Sequence, residues 1–233
     1  MTRTQLIGMA AILLFAGGPF CIQHKGYAME SQKSDRSISL PAPAKSGDVS
    51  VETALQQRRS VRSYAPEPLA LEDIAQLLWA AQGITSHHGL RTAPSAGALY
   101  PLEAYIVSGN VSGLKEGIYR YVPQQHALTL VQSGDHRRKL STSALGQGCV
   151  REAPAVIVLT GVSSRITGKY GQRGIQYMIM EAGHAAQNVC LQAVTRQIGV
   201  VPVGAFKEDQ VRQILQLDKA ELPLYLLPLG KMP

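Results

Sequence analysis

Residues 173–198 read RGIQYMIMEAGHAAQNVCLQAVTRQI, and the period of this stretch decides what kind of fold the chain builds. Ile175, Met178, Ile179, Ala182, Ala186, Val189, Cys190 and Ala193 recur at helical spacing, so the segment is one long helix whose apolar side is a core or interface seam. Tyr177, Glu181, His184 and Asn188 fall opposite, and they read as a solvated stripe. Glu181 and His184 would also suit a metal pair on one helix side, but a carboxylate-bridged centre needs a second such pair, and the sequence has none. His87 and His88 read as loop residues rather than ligands.

Working outward, Val49 to Arg58 and Leu71 to Gln82 have helical spacing; Leu71, Ile74, Leu77 and Leu78 form one stripe, and Gly83 is a stop. Glu103 to Ser108, Gly117 to Val122 and Leu128 to Val131 are short β-rich runs between turn residues, which predicts an antiparallel meander. Asp135 to Leu145 reads as a short helix and Ala155 to Leu159 as a fully buried strand. Val200 to Ala205, a helix Glu208 to Leu217 and a strand Leu224 to Leu229 close the chain. Helices and strands mix without regular βαβ alternation, so the expected class is an α+β layer fold.

The 233 residues suit one domain, since single cores stop growing near ~250–300 residues. With 45% hydrophobic and 17% charged residues, the chain can fill a core but carries fewer charges than the usual ~25%. The formal charge of +7 is dispersed, with Arg58-Arg59 and Arg137-Arg138-Lys139 its only dense groups. No aromatic residues are interleaved with them, which argues against a nucleic-acid partner and for small anions.

The N-terminus differs from the rest. Arg3 precedes an apolar stretch from Leu6 to Phe15, then Gly17-Gly18-Pro19 breaks it before Gly26-Tyr27-Ala28, the order of a secretory signal peptide cleaved after Ala28. The expectation is a protein exported to the periplasm or beyond. If the segment is kept, residues 6–22 would anchor the chain to a membrane. Cys21 lacks the small preceding residues of a lipoprotein signal, and Cys149 and Cys190 alone form no disulfide framework. Residues 29–48, rich in Ser, Lys and Pro, read as a linker, and the domain is expected over 49–233.

Several chemistries lose support by absence: there is no Gly-x-Ser-x-Gly elbow, no phosphate loop ending in Lys-Ser/Thr and no Gly-x-Gly-x-x-Gly. What stands out is Arg58-Arg59-Ser60-Val61-Arg62, just past the first helix. If the chain leaves that helix extended, Arg58, Ser60 and Arg62 alternate onto one side and offer two guanidiniums and a hydroxyl to one anion. A second segment, Arg91-Thr92-Ala93-Pro94-Ser95-Ala96-Gly97-Ala98-Leu99-Tyr100-Pro101, offers small residues and free backbone groups to a flat ring. Gly168-Lys169-Tyr170-Gly171, Glu181 to Asn188, Val203-Gly204-Ala205-Phe206 and Leu229-Gly230-Lys231 follow.

Taken in this order, these segments resemble the nitroreductase-like flavoproteins, and within them the thiazole/oxazole-forming (SagB-type) dehydrogenases, over Val49 to Pro233. The resemblance implies an FMN-dependent oxidoreductase built as a homodimer, with a mainly antiparallel sheet flanked by helices, the long helix at the dimer interface and FMN between subunits. It implies that Arg58, Arg59, Ser60 and Arg62 form the first FMN segment. It also implies that Pro94, Ser95, Ala96 and Leu99 lie along the isoalloxazine, Val203 and Gly204 near the ring, and Lys231 at the phosphate.

By the same resemblance, Lys169 and Tyr170 occupy the place of a lysine and tyrosine implicated in dehydrogenation, in what reads as a glycine-flanked loop. A lysine beside a flavin can serve as general base, and a tyrosine can position that proton. The chain carries no peptide-recognition module, so the substrate, small molecule or peptide-derived, stays open. An NAD(P)H-dependent reductase of nitro compounds or quinones, and an exported flavin-binding protein without turnover, are the alternatives.

Overall fold

The computed structural model describes residues 37–233; the expected export signal of residues 1–28 lies outside them. In chain order the first elements are β1 (Ser37–Ser39), α1 (Val51–Gln57), β2 (Leu69–Ala70), α2 (Leu71–Gln82) and β3 (Leu102–Ser108). They are followed by β4 (Val111–Ser112), β5 (Gly117–Val122), β6 (Ala127–Ser133), α3 (Arg137–Ser143) and α4 (Gly148–Glu152). The last are β7 (Ala155–Val162), α5 (Ser163–Tyr170), α6 (Arg173–Thr195), β8 (Ile198–Val200), α7 (Glu208–Leu215) and β9 (Glu221–Lys231).

Seven strands form one sheet in the order β1-β6-β5-β3-β7-β9-β8, and every pairing in it is antiparallel. β7 lies near its middle and is apolar along almost its whole length, as a strand covered on both faces must be. The two-residue side-chain period divides the sheet between two cores. Leu102, Ala104 and Ile106 of β3, with Ala155, Ile157 and Leu159 of β7, enter a core roofed by α2 and α6. Tyr105 and Val107, with Val156 and Val158, enter a second core roofed by α3, α4 and α7. Each fully buried Leu or Ile contributes roughly 1.5–3 kcal/mol, so the α+β layering follows from apolar residues on both faces of the central strands.

α2 spans the expected residues, stopping at Gly83. α6 also forms as predicted, with Met178, Ala182, Ala186, Val189, Cys190 and Ala193 buried. Ile179 is not part of the core: it is 53% exposed, as is Met180. Met178 takes the sheet-facing position, and Ile179, one residue on, is turned about 100° away from it.

Other departures have local causes. The predicted helix over 135–145 ends at Ser143, because Leu145 and Gly146 adopt positive φ before α4 begins. In the segment Val200–Ala205, pairing stops at Val200, where Pro202 interrupts it; Val203 rejoins through a bridge to Leu226. β9 is longer than predicted, and Pro223 is accommodated where the register with β7 shifts between Leu159 and Thr160.

Part of the segment expected as a linker belongs to the fold. β1 pairs with β6, Leu40 is buried, and His126 hydrogen-bonds the Pro41 carbonyl. The Ala44 N–H donates to Gln76, whose amide donates back to the Ala44 carbonyl. A Ser/Pro-rich composition hid these contacts because they are made by backbone groups, which leave no trace in residue type.

Candidate functional site

The loop from Arg91 to Pro101 leads from the end of α2 into β3 and is fastened at several points. Thr92 donates its N–H to the Gly83 carbonyl and its hydroxyl to the Trp79 carbonyl. Asn188 of α6 donates to the Thr92 carbonyl at 3.3 Å, and Glu181 of α6 accepts the Ala96 N–H at 2.8 Å. The Tyr100 N–H donates to the Ser95 hydroxyl, while Arg165 of α5 donates to the Tyr100 carbonyl. Arg91 lies 4.7 Å from the Tyr100 ring centroid. Pro94 is exposed, whereas Ser95, Ala96 and Leu99 are half-buried, so the loop shows its backbone on one side and rests on the core with the other.

Lys169 and Tyr170 form the last turn of α5, a helix, rather than the loop that the flanking glycines suggested. Arg165, one turn earlier, pairs with the buried Glu103 of β3, which also holds Arg120. That pairing fixes α5 against the sheet and aims its end at the loop. A Cβ added to Gly97 would lie 2.8 Å from Lys169 Nζ and 2.8 Å from Tyr170 Oη. The φ of +62° favours glycine, and a side chain there would push both groups aside. The Tyr170 ring stands edge-on to Tyr177 at 5.2 Å, which fixes its plane.

The second group of predicted residues lies at the other end of α6. Arg58 caps α1, and the chain then runs extended beside β8: Ser60 bridges Val200 in parallel, and the Val61 N–H donates to the Val200 carbonyl at 3.1 Å. Extended backbone places Arg58, Ser60 and Arg62 on one side. Arg58 and Arg62 make no ion pair or hydrogen bond through their guanidiniums with the described residues; Arg62 is close enough to Tyr64 and Cys149 for its charge to act on both.

Arg59 and Lys231 already have partners within the chain. Arg59 folds back to donate to the Gln56 and Arg58 carbonyls, and with Val61 and Lys231 it lines a cavity of about 760 Å³. Lys231, expected at a phosphate, gives its ammonium to Asp73 at 2.8 Å, and Arg196 binds the other carboxylate oxygen at 2.9 Å. Burial pushes the Asp73 carboxyl up, but the hydrogen bonds and charges of Lys231 and Arg196 outweigh it and hold it below its ordinary value. Val203 is buried and exchanges two backbone hydrogen bonds with Leu226. Gly204 is exposed, and a Cβ there would meet only Tyr225 at 3.7 Å, so packing does not demand a glycine.

The stripe read as solvated is therefore half structural. His184 is exposed, but Glu181 is buried and Asn188 half-buried, and both hold the loop. The signal was present: Glu181 stands three residues after Met178 and four before Ala185, on the buried stripe itself. A carboxylate there has to have a partner. Arg91 and Arg165 gave no such sign, since their partners are backbone carbonyls and side chains distant in sequence.

The sequence pattern of the Nitroreductase family matches residues 55–231. A nitroreductase-family protein of Methanocaldococcus jannaschii is 41% identical over 184 residues, 79% of this chain and 92% of its own. A solved nitroreductase-family structure from Anabaena variabilis is 32% identical with a TM-score of 0.75, covering 84% of this chain; this chain spans only 42% of that one. The E. coli microcin synthetase McbBCD complex, solved with truncated pro-MccB17 bound, is 21% identical with a TM-score of 0.66 over 95% of this chain and 85% of that one, a likeness of fold. With the family pattern spanning every strand of the sheet but β1, and both groups of site residues, the chain belongs to the nitroreductase family of oxidoreductases.

Proposed function

We propose that the chain is an FMN-dependent oxidoreductase of the SagB-type dehydrogenase kind, working by two-electron hydride transfer. The observation that carries the cofactor is the pair of guanidiniums on Arg58 and Arg62, unpartnered among the described residues, with the exposed Ser60 between them. A phosphate with a polar tail satisfies all three, at about 1.5–3 kcal/mol for each charge-assisted hydrogen bond. Gly204, whose missing side chain packing does not require, leaves backbone open to a ring. Bound FMN would supply the acceptor or donor of the hydride.

The chain's own residues supply the rest. The loop at Pro94, Ser95 and Ala96 gives a flat ring a backbone surface, and Lys169 Nζ and Tyr170 Oη meet at Gly97 to take and relay a substrate proton. That pair is what favours the dehydrogenase over a nicotinamide-dependent nitro or quinone reductase. The fold shared with the microcin synthetase complex is in keeping with a peptide-derived substrate.

Within one chain the two groups are apart. Glu181, which holds the loop, and Thr195, which precedes the strand beside Ser60, are separated by about 21 Å of helix at ~1.5 Å per residue. A homodimer that sets the clamp of one copy against the loop of its partner completes each site. Ile179 and Met180 of α6, with Val51 and Leu55 of α1, are exposed apolar residues suited to that seam. Residues 1–28 are proposed as an export signal, which places the enzyme in the periplasm or outside the cell; cell fractionation with N-terminal sequencing of the mature chain checks this.

The deciding experiment loads the purified chain with FMN and records the visible spectrum while NADH, NADPH or an azoline-bearing peptide is added anaerobically. Bleaching by the azoline and not by the nicotinamides supports the dehydrogenase; rapid bleaching by NADH or NADPH supports the reductase. Bound flavin that no donor reduces makes the chain a binding protein, and a colourless chain that takes up no FMN removes the cofactor assignment.

A further inference from the structure

The ring-facing loop holds a conformation its own residues disfavour. Gly97, Ala98 and Tyr100 all have positive φ, at 62°, 53° and 47°, and two of the three carry a Cβ. Such a turn persists only when its surroundings over-determine it. Glu181 is the group placed to do so: 4% exposed, it accepts the Ala96 N–H at 2.8 Å and forms no ion pair with the described residues. Burial pushes its carboxyl up, against the pull of the Ala96 N–H, the Ser95 hydroxyl and the charges of His184 and Arg91. A buried carboxylate without a direct ion pair is a poor source of stability, so its value lies in what it places.

The residue after its hydrogen bond is Gly97, the surface against which Lys169 Nζ and Tyr170 Oη rest. We propose that Glu181 is a positioning residue: its side chain, by reach rather than by charge, holds the 96–98 turn and thereby sets where Lys169 and Tyr170 stand at the ring face. The inference takes its chemistry from the FMN reading above, but its geometry exists in the flavin-free chain.

The test compares the full chain with Glu181→Gln, which keeps the reach and drops the charge, and with Glu181→Asp, which keeps the charge and withdraws it by a methylene. Hydrogen–deuterium exchange of the loop, read by mass spectrometry without FMN, should be no faster than the parent's in the Gln variant and rise by about tenfold or more in the Asp variant, with β3 and β7 unchanged. In the FMN-loaded protein the azoline-bearing peptide should reduce the flavin of the Asp variant about tenfold more slowly, while FMN affinity, set at Arg58 and Arg62, changes less than about threefold. Equal exchange in all three proteins, a Gln variant as loose as the Asp variant, or faster exchange across the whole sheet would each overturn the proposal. A chain that takes up no FMN overturns the preceding section's reading instead, and exchange in the flavin-free protein still decides the role of Glu181.

Discussion

The two ends of α6 present opposite solutions to the problem of building a site. At the Arg58–Arg62 end the chain is extended and exposed, and two guanidiniums find no partner among the described residues. At the Pro94–Tyr100 end the chain is strained, half-buried and tied to α2, α5 and α6 by side chains that all have partners. The first end is held by its backbone and leaves its guanidiniums to the proposed ligand; the second is held by side chains of the fold. Substitutions should therefore act on affinity at the clamp and on chemistry or conformation at the loop.

The largest expected effect falls at the clamp. Replacing both Arg58 and Arg62 by Ala should weaken FMN binding by about two to four orders of magnitude, from the loss of two charge-assisted hydrogen bonds, while thermal stability of the flavin-free chain stays within about 0.5 kcal/mol. Fluorescence titration of FMN reads the affinity, and a loss of less than tenfold would erase the distinction between the two ends. Lys169→Ala should do the reverse, lowering the rate of substrate-driven flavin reduction by about 100-fold or more with FMN binding nearly intact. Stopped-flow absorbance separates the two quantities; an unchanged rate removes Lys169 from the chemistry.

A third substitution sharpens the contrast between cations that are free and cations that are spent. Asp73→Asn should destabilise the chain by about 2–3 kcal/mol at neutral pH, because Lys231 and Arg196 lose their shared carboxylate. The pH dependence has a definite sign. The folded Asp73 carboxyl lies below its ordinary value of 3.8, so its contribution is full above that value and is lost as pH falls through the lowered one. Denaturation curves of parent and variant should converge in strong acid. FMN affinity should hold if the Lys231 ammonium serves Asp73 alone; a large change in either direction would tie Lys231 to the phosphate.

The smallest effect concerns Glu181. Burial raises its carboxyl above the ordinary 4.5, so the folded chain favours the protonated acid, and the parent's stability is fullest below that value and declines as pH rises. Glu181→Gln carries no such penalty and should be more stable than the parent at pH 7–8 by on the order of 1 kcal/mol, with the advantage gone in acid. Equal stability at both pH values would mean that the carboxylate is better solvated than its burial implies.

The sequence made these two ends unequally legible. Strands and helices with a strong apolar period, such as Ala155–Val162 and Leu71–Gln82, could be read from residue type alone, and the antiparallel layering followed. Arg58, Ser60 and Arg62 were legible because an extended segment turns sequence spacing directly into a face. The bracing of the loop was not, since Arg165 reaches Tyr100 and Asn188 reaches Thr92 across separations that no local pattern records. The pairing of Lys231 was hidden for a related reason: its partner Asp73 lies 158 residues away. The strand at Ser37–Ser39 was hidden by composition, because an edge strand needs only backbone to pair.

In the proposed dimer each site joins the clamp of one copy to the loop of another around FMN. Titrating the full chain with FMN, and measuring bound flavin and molar mass on the same eluting species by visible absorbance and light scattering, reads this arrangement. One FMN per chain, carried only by a dimer, is expected. A monomer holding its full flavin complement, or a dimer that stays colourless at saturating FMN, would contradict it.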